Sequence, residues 1–334
     1  MSVLVWHSFR ISDWMTDYHG WWGPVVRLIL PMFFALSGFL VAGSLLRVRS
    51  IHHFLILRTM RIMPALAIQL LFSAVILGGL MTTLPLSDYL RDPLFLRYFL
   101  NVFGLVQWNL PGVFQSNPVT IVNASLWTIP YEIMAYLLIV ALWIAGAIRR
   151  PRLLIPLILI GQFVAPVAEM LTNRVPQGYG PLSGYVLVVA FTFGTALYIC
   201  REWVPMRTSW AIASLVLALA LLATMTGGYF AGPPAAYFTV WLGLRNPRRT
   251  AAIASADISY GVYLYAYPIQ QTVVALFPAW RIWWFIIPVS LFFTVLMAML
   301  SWRYVEKPAL GHRKFLMAWS DRLGMRVTGV FRGS

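Results

Sequence analysis

The chain has 334 residues, 60% of them hydrophobic and 10% charged, with a net charge of +15 and a mean hydropathy of +0.76. A soluble domain carries roughly 25% charged residues, so the composition excludes an ordinary soluble protein. Repeated apolar runs of about 20 residues indicate an all-α, polytopic membrane helix bundle, not an outer-membrane barrel of short alternating segments.

Residues 1–9 (MSVLVWHSF) are apolar but too short to span a bilayer, and read as the outer half of a helix whose beginning is absent. They show no basic n-region or small-residue cleavage site, so no signal peptide is expected. Residues 10–24 form a polar loop with Trp21 and Trp22 suited to a headgroup interface. The first complete span is 25–46, with Arg27 near its outer end. A basic connector, 47–61, carries Arg47, Arg49, Arg58 and Arg61, and 65–84 spans again. A long loop, 87–124, contains an apolar patch around 98–106 that reads as an interfacial helix. The next span, 125–148, holds one full charge, Glu132, and is followed by Arg149, Arg150 and Arg152. Further spans are 153–171, 184–200, 209–226, a shorter 229–244, 258–277 and 282–301. The pattern predicts about ten spans with the first incomplete, a membrane domain over 1–310 and a short basic tail over 311–334.

Lys and Arg collect at 47–61, 149–152, 201–207, 245–249 and in the tail. Alternating spans place all five on one side, which is then the cytoplasm. The loops at 10–24, 85–124, 172–183, 227–228 and 278–281 lie outside. This places the C-terminus in the cytoplasm. It also accounts for the positive charge without nucleic acid, since the basic residues form no face apart from the spans.

Two ionisable residues fall inside apolar runs, His7 and Glu132, and the loop order puts both in the outer halves of their helices. Glu132 would lie ~9 Å below the outer end. A charge in hydrocarbon costs a few kcal/mol and is normally retained with a partner or a function. A carboxylate can orient an imidazole and stabilise the imidazolium formed when it accepts a proton; a purely structural buried pair is the alternative. His19, His52, His53 and His312 fall in loops or the tail. No His or Glu spacing suggests a metal, and the single cysteine, Cys200, rules out an intramolecular disulfide and a cysteine-based site. Arg58 and Arg61 share a helix face at i, i+3. Their forks suit phosphate, and equally suit anchoring to lipid headgroups. Ser37 and Gly38 read as close helix packing, Ser125 and Thr128 as caps of the Glu132 helix, and Tyr260, Tyr263, Tyr265 and Tyr267 as packing or interfacial belt. Glu306 reads as an ion pair with a nearby Arg.

Taken together, VLVWHSF, LPMFFALSGFLVAGSL, FLILRTMRIMPAL, NASLWTIPYEIMAYLL, ADISYGVYLYAYPIQQ and SWRYVEKPAL resemble, in order and spacing, the acyltransferase 3 family of integral membrane O-acyltransferases. The resemblance runs to about Leu310. It implies acetyl-CoA as acyl donor from the cytoplasm and, as acceptor, a sugar hydroxyl of an envelope or exported glycan or glycolipid. His7 matches the family's catalytic histidine. Arg58 and Arg61 match its basic RxxRIxP element, suited to the phosphates of CoA, and Ser37 and Gly38 its SGF element. Trp127 and Glu132 match LW…E, Tyr260, Gly261 and Tyr263 match SYGxYL, and Glu306 matches EKP. The family carries an Arg ten residues before its His, where this chain has only six residues before His7. Tyr267 stands where many members have a His before the Pro.

The resulting expectation is that His7, oriented by Glu132, takes the proton of a glycan hydroxyl that attacks the thioester. Arg58 and Arg61, with Ser37, hold the donor, while Trp127, Tyr260 and Tyr263 line the acceptor side. A proton-coupled transporter and a catalytically inactive relative are the rival readings. No repeated halves with broken helices favour the transporter.

Overall fold

In the computed structural model the described residues are 2–12, 22–48, 50–172, 182–224, 227–245 and 257–330. His19, Trp21 and Arg49, singled out in the sequence, and 246–249 of the basic loop at 245–249 lie outside them. Among the described residues the secondary structure is helical: α1 (Ser2–Ile11), α2 (Gly23–Val48), and α3 (Ile51–Leu71) continuing through a π-helical turn, Phe72–Leu77, into α4 (Gly78–Met81). Two short helices, α5 (Leu86–Arg91) and α6 (Pro93–Tyr98), and a 3₁₀ turn, Phe99–Phe103, follow. A second 3₁₀ turn, Ala124–Thr128, leads into α7 (Ile129–Ile144). Then come α8 (Pro151–Thr172), α9 (Gly184–Ile199), α10 (Thr208–Leu222), α11 (Gly232–Leu244), α12 (Ser259–Leu276) and α13 (Trp283–Ser301). After a π-helical turn, Trp302–Glu306, the chain ends in α14 (Lys307–Gly311) and α15 (Arg313–Val330).

Among the described residues helices stand where the spans were expected, as α1, α2, α3 with α4, and α7 to α13. Four segments, Gly23–Val48, Ile51–Met81, Ala124–Ile144 and Trp283–Arg322, are long and apolar enough to cross a membrane alone. The shorter ones depend on neighbours to cover their ends. Of the basic connector expected at 47–61, residues 47–48 end α2 and 51–61 are the first part of α3. Ser50 caps it by accepting from the His53 amide at 3.4 Å, and the long side chains of Arg58 and Arg61 do not oppose helix.

The centre of the bundle is α2 packed along α9. The contact is tight because both helices present glycine there. A Cβ on Gly38 would run into the Phe191 carbonyl, and one on Gly194 into the carbonyl of Ala35. The SGF stretch is thus a close-approach element, as the sequence suggested. At the C-terminus α15 lies back along α3, where His53 Nε2 is 2.8 Å from Asp321 Oδ1.

One departure from the expected topology decides where the site sits. Residues 105–123 do not stay outside the bundle. Gly104 ends the 3₁₀ turn at φ 76°, a left-handed conformation suited to glycine; Pro111 and Gly112 then accept from Thr82 and Thr83, and from Asn117 to Asn123 the chain runs beside α12 between Gln271 and Leu264. Asn117 donates to the Gln271 carbonyl at 2.9 Å, and Gln271 Nε2 donates to the carbonyls of Val119 and Ile121, each at 2.6 Å. Lower down, Asn123 Nδ2 donates to the Leu264 carbonyl at 3.0 Å. Irregular backbone at membrane depth persists only where protein satisfies its polar groups, and these amides do so.

Candidate functional site

Two polar clusters lie along α12. The first is at the end of the bundle where α12 begins. Arg58 and Arg61 project from one face of α3. Arg58 Nη2 donates to Ser44 Oγ at 3.4 Å, and Arg61 Nη2 donates to Asp257 Oδ2 at 2.7 Å. Arg61 Nη1 also lies 3.8 Å from Glu306 Oε2, the ion pair expected of Glu306. Glu132, in the first turn of α7, accepts from Tyr136 at 2.9 Å, and both arginines act on it electrostatically. Ser37 is within hydrogen-bonding reach of Tyr136. Tyr260 is buried in the same field, close to Glu132, Tyr136 and Glu306, with its hydroxyl lacking a hydrogen-bond partner. Two guanidinium forks are thus gathered with the carboxylates of Glu132, Glu306 and Asp257 at this end of the bundle.

The second cluster lies further along α12. His7 is 5% exposed and stands edge-on to Tyr267, with ring centroids 4.8 Å apart and an interplanar angle of 88°. Its Nδ1 is buried without a hydrogen-bond partner. Gln270, fully buried, donates to the Leu4 carbonyl at 2.7 Å and to Ser8 Oγ at 2.6 Å. It therefore grips the turn of α1 that carries His7.

Between the clusters stands Tyr263. Its hydroxyl donates to the Ser125 carbonyl at 2.9 Å and is 2.7 Å from Thr128 Oγ1. A cavity of about 200 Å³ runs beside it between α1, α2 and α12, from Ser259 to Ala266 and lined also by Leu4, Leu30 and Phe33. Tyr260 and Tyr267 are seven residues apart, ~10 Å of helix. The cavity lies alongside that stretch of α12, on the face of Val262, Tyr263 and Ala266. Trp127 is in the core at 7% exposure, edge-on to Tyr131.

The expected direct pairing of His7 with Glu132 is not among these contacts. Glu132 bonds Tyr136 and faces the arginines, whereas His7 faces Tyr267. The reason is the descent of residues 105–123. It starts the Glu132 segment level with Leu264, five residues beyond Ser259, the start of α12. Glu132 is thereby carried to the arginine end rather than to the depth of His7. The cap of that segment is Asn123, which accepts from the Ser125 amide at 3.0 Å, while Ser125 Oγ is buried without a partner. Among residues not singled out in the sequence, Tyr136, Asp257, Gln270 and Gln271 are the ones that matter here. The adjacent amides of Gln270 and Gln271 inside an apolar run were a readable signal, since buried amides must find partners. Among the described residues no group of three or more His, Cys, Asp or Glu could hold a metal ion.

A sequence profile described as an acyltransferase domain matches residues 1–303. An O-acetyl transferase of Shigella phage Sf6 is 24% identical over 97% of this chain and 95% of its own length. Nodulation protein 10 of Rhizobium leguminosarum bv. viciae is 26% identical over 86% of this chain and 83% of its own length. No solved structure matches.

Proposed function

The chain belongs to the acyltransferase domain family and is an acyltransferase, and from that premise we propose that it moves an acetyl group from acetyl-CoA to a hydroxyl of an envelope or exported glycan. The observation that carries this reading is the division of one helix, α12, between an anion pocket and a buried imidazole, with the cavity beside Tyr263 between them. One end suits the donor's phosphates and the other suits proton transfer.

Arg58 and Arg61 hold the phosphates as forked donors, and Ser37 lies beside them through Tyr136. Glu132 and its Tyr136 partner set the charge of that pocket. The pantetheine arm passes Tyr260 at the arginine end and lies along the cavity beside Tyr263, which brings the thioester toward His7. His7 accepts the proton of the acceptor hydroxyl as its oxygen bonds to the thioester carbon. Collapse of the tetrahedral species breaks the C–S bond. The proton held by His7 passes to the departing CoA thiolate, leaving an ester and free CoA. Gln270 and Tyr267 hold the imidazole in place. Trp127 shapes the α7 side of the acceptor region through Tyr131.

The identity of the donor end also gives the proposed orientation. The arginine end faces the cytoplasm, where acetyl-CoA is made, with the C-terminus on that side and the protein in a bacterial inner membrane. The relative named an O-acetyl transferase supports O-acetylation as the reaction class. The test is mass spectrometry of the host's surface and exported glycans with and without the chain. An acetyl increment (42 Da) that appears only with it supports the reading; unchanged glycans with no acetyl-CoA turnover in membranes contradict it.

A further inference from the structure

Arg61 is held by two carboxylates of opposite character. Glu306 is 2% exposed, takes a hydrogen bond from Ser301 at 3.1 Å on Oε1, and stands on the π-helical turn Trp302–Glu306. Asp257 has a side chain 56% exposed, precedes α12, and among the described residues is otherwise hydrogen-bonded by the Ser259 hydroxyl at 2.8 Å. Yet the exposed carboxylate makes the short contact with Arg61, 2.7 Å, and the buried one the long contact, 3.8 Å. Glu306 cannot move without repacking the turn that bears it. Asp257 can swing into water with its hydration restored.

The contacts of Arg61 favour such a departure. Among the described residues two guanidiniums, Arg58 and Arg61, face three carboxylates, those of Glu132, Glu306 and Asp257. A phosphate arriving at Arg61 competes with Asp257 for the same guanidinium donors. The exposed ion pair is the cheapest to break, because such pairs contribute little in water. A forked guanidinium contact to phosphate is the stronger replacement.

We propose that Asp257 occupies the donor-phosphate seat on Arg61 when no donor is bound and is exchanged for the phosphate, while Glu306 is the fixed positioning residue that aims the guanidinium. The inference rests on the reading above that Arg61 binds the donor's phosphates. It makes Asp257 a negative determinant of donor affinity. Removing its charge improves binding, which damage to the fold does not do.

The experiment is calorimetric titration of coenzyme A into the full chain purified in lipid nanodiscs, comparing the unaltered protein with Asp257→Asn, Glu306→Gln and Arg61→Ala. Asp257→Asn is expected to tighten coenzyme A about 1.5- to 5-fold, the span that an exposed ion pair allows. It should also lower KM for acetyl-CoA with kcat little changed. Glu306→Gln is expected to weaken binding, and Arg61→Ala to weaken it most. If Arg61→Ala weakens binding but Asp257→Asn leaves it unchanged or weaker, the exchange is refuted while the donor site stands. If Arg61→Ala leaves coenzyme A affinity unchanged, the donor site itself is misplaced and the exchange falls with it.

Discussion

Gln270 donates to Ser8 Oγ at 2.6 Å, one residue beyond His7, and so ties the short helix α1 to the middle of α12. A helix of 10 residues has little stability of its own, and this amide also takes up the Leu4 carbonyl at 2.7 Å. The position of the imidazole therefore depends on α12 as much as on the turn that bears it.

Replacing Gln270 with Leu removes the grip and keeps the bulk. A buried polar group left unpaired costs about 1–3 kcal/mol. The variant should melt lower in detergent than the unaltered chain and should lose acetyl transfer at least tenfold, with the loss in kcat rather than in KM for acetyl-CoA. Thermal unfolding and steady-state kinetics on one preparation measure both. Unchanged kcat would remove Gln270 from the positioning of His7.

The descent of residues 105–123 hangs on Gln271, whose side chain and carbonyl satisfy Asn117, Val119 and Ile121. Gln271→Ala strands two carbonyls at membrane depth, at about 1–3 kcal/mol each. Amide hydrogen exchange across 105–123 should rise by one to two orders of magnitude while exchange along α2 and α9 stays slow. A uniform rise through the bundle would mean that Gln271 supports the whole fold instead of this segment.

Arg58→Lys and Arg61→Lys keep the charge but lose the fork. Each is expected to raise KM for acetyl-CoA about three- to tenfold with kcat held within twofold, the pattern of a lost ground-state contact. A fall in kcat at constant KM would move the arginines from donor binding to the chemical step.

The helices were readable from apolar runs of bilayer length, and their order made the family resemblance visible from His7 to Glu306. The arginine pair at i, i+3 was readable as well, although its helix begins earlier than the basic residues suggested. The depth of Glu132 was not readable. Counting basic loops assigns each loop to a side, and it cannot see a loop that returns along a helix. That return is written in hydrogen bonds between Asn117 and Gln271 and between Asn123 and Leu264, partners 154 and 141 residues apart. The same distance in sequence hid Asp257, which meets Arg61 across 196 residues. Tyr136 was within reach, one helical turn beyond Glu132, but a tyrosine in an apolar run reads as packing until its partner is known.

The central claim is that His7 carries the proton transfer. The most direct measurement is acetyl transfer from acetyl-CoA to the host glycan in membranes bearing His7→Ala, alongside coenzyme A titration of the same purified variant. The account predicts that transfer disappears while coenzyme A still binds at the arginine end with near-unaltered affinity. Full transfer by His7→Ala would contradict it.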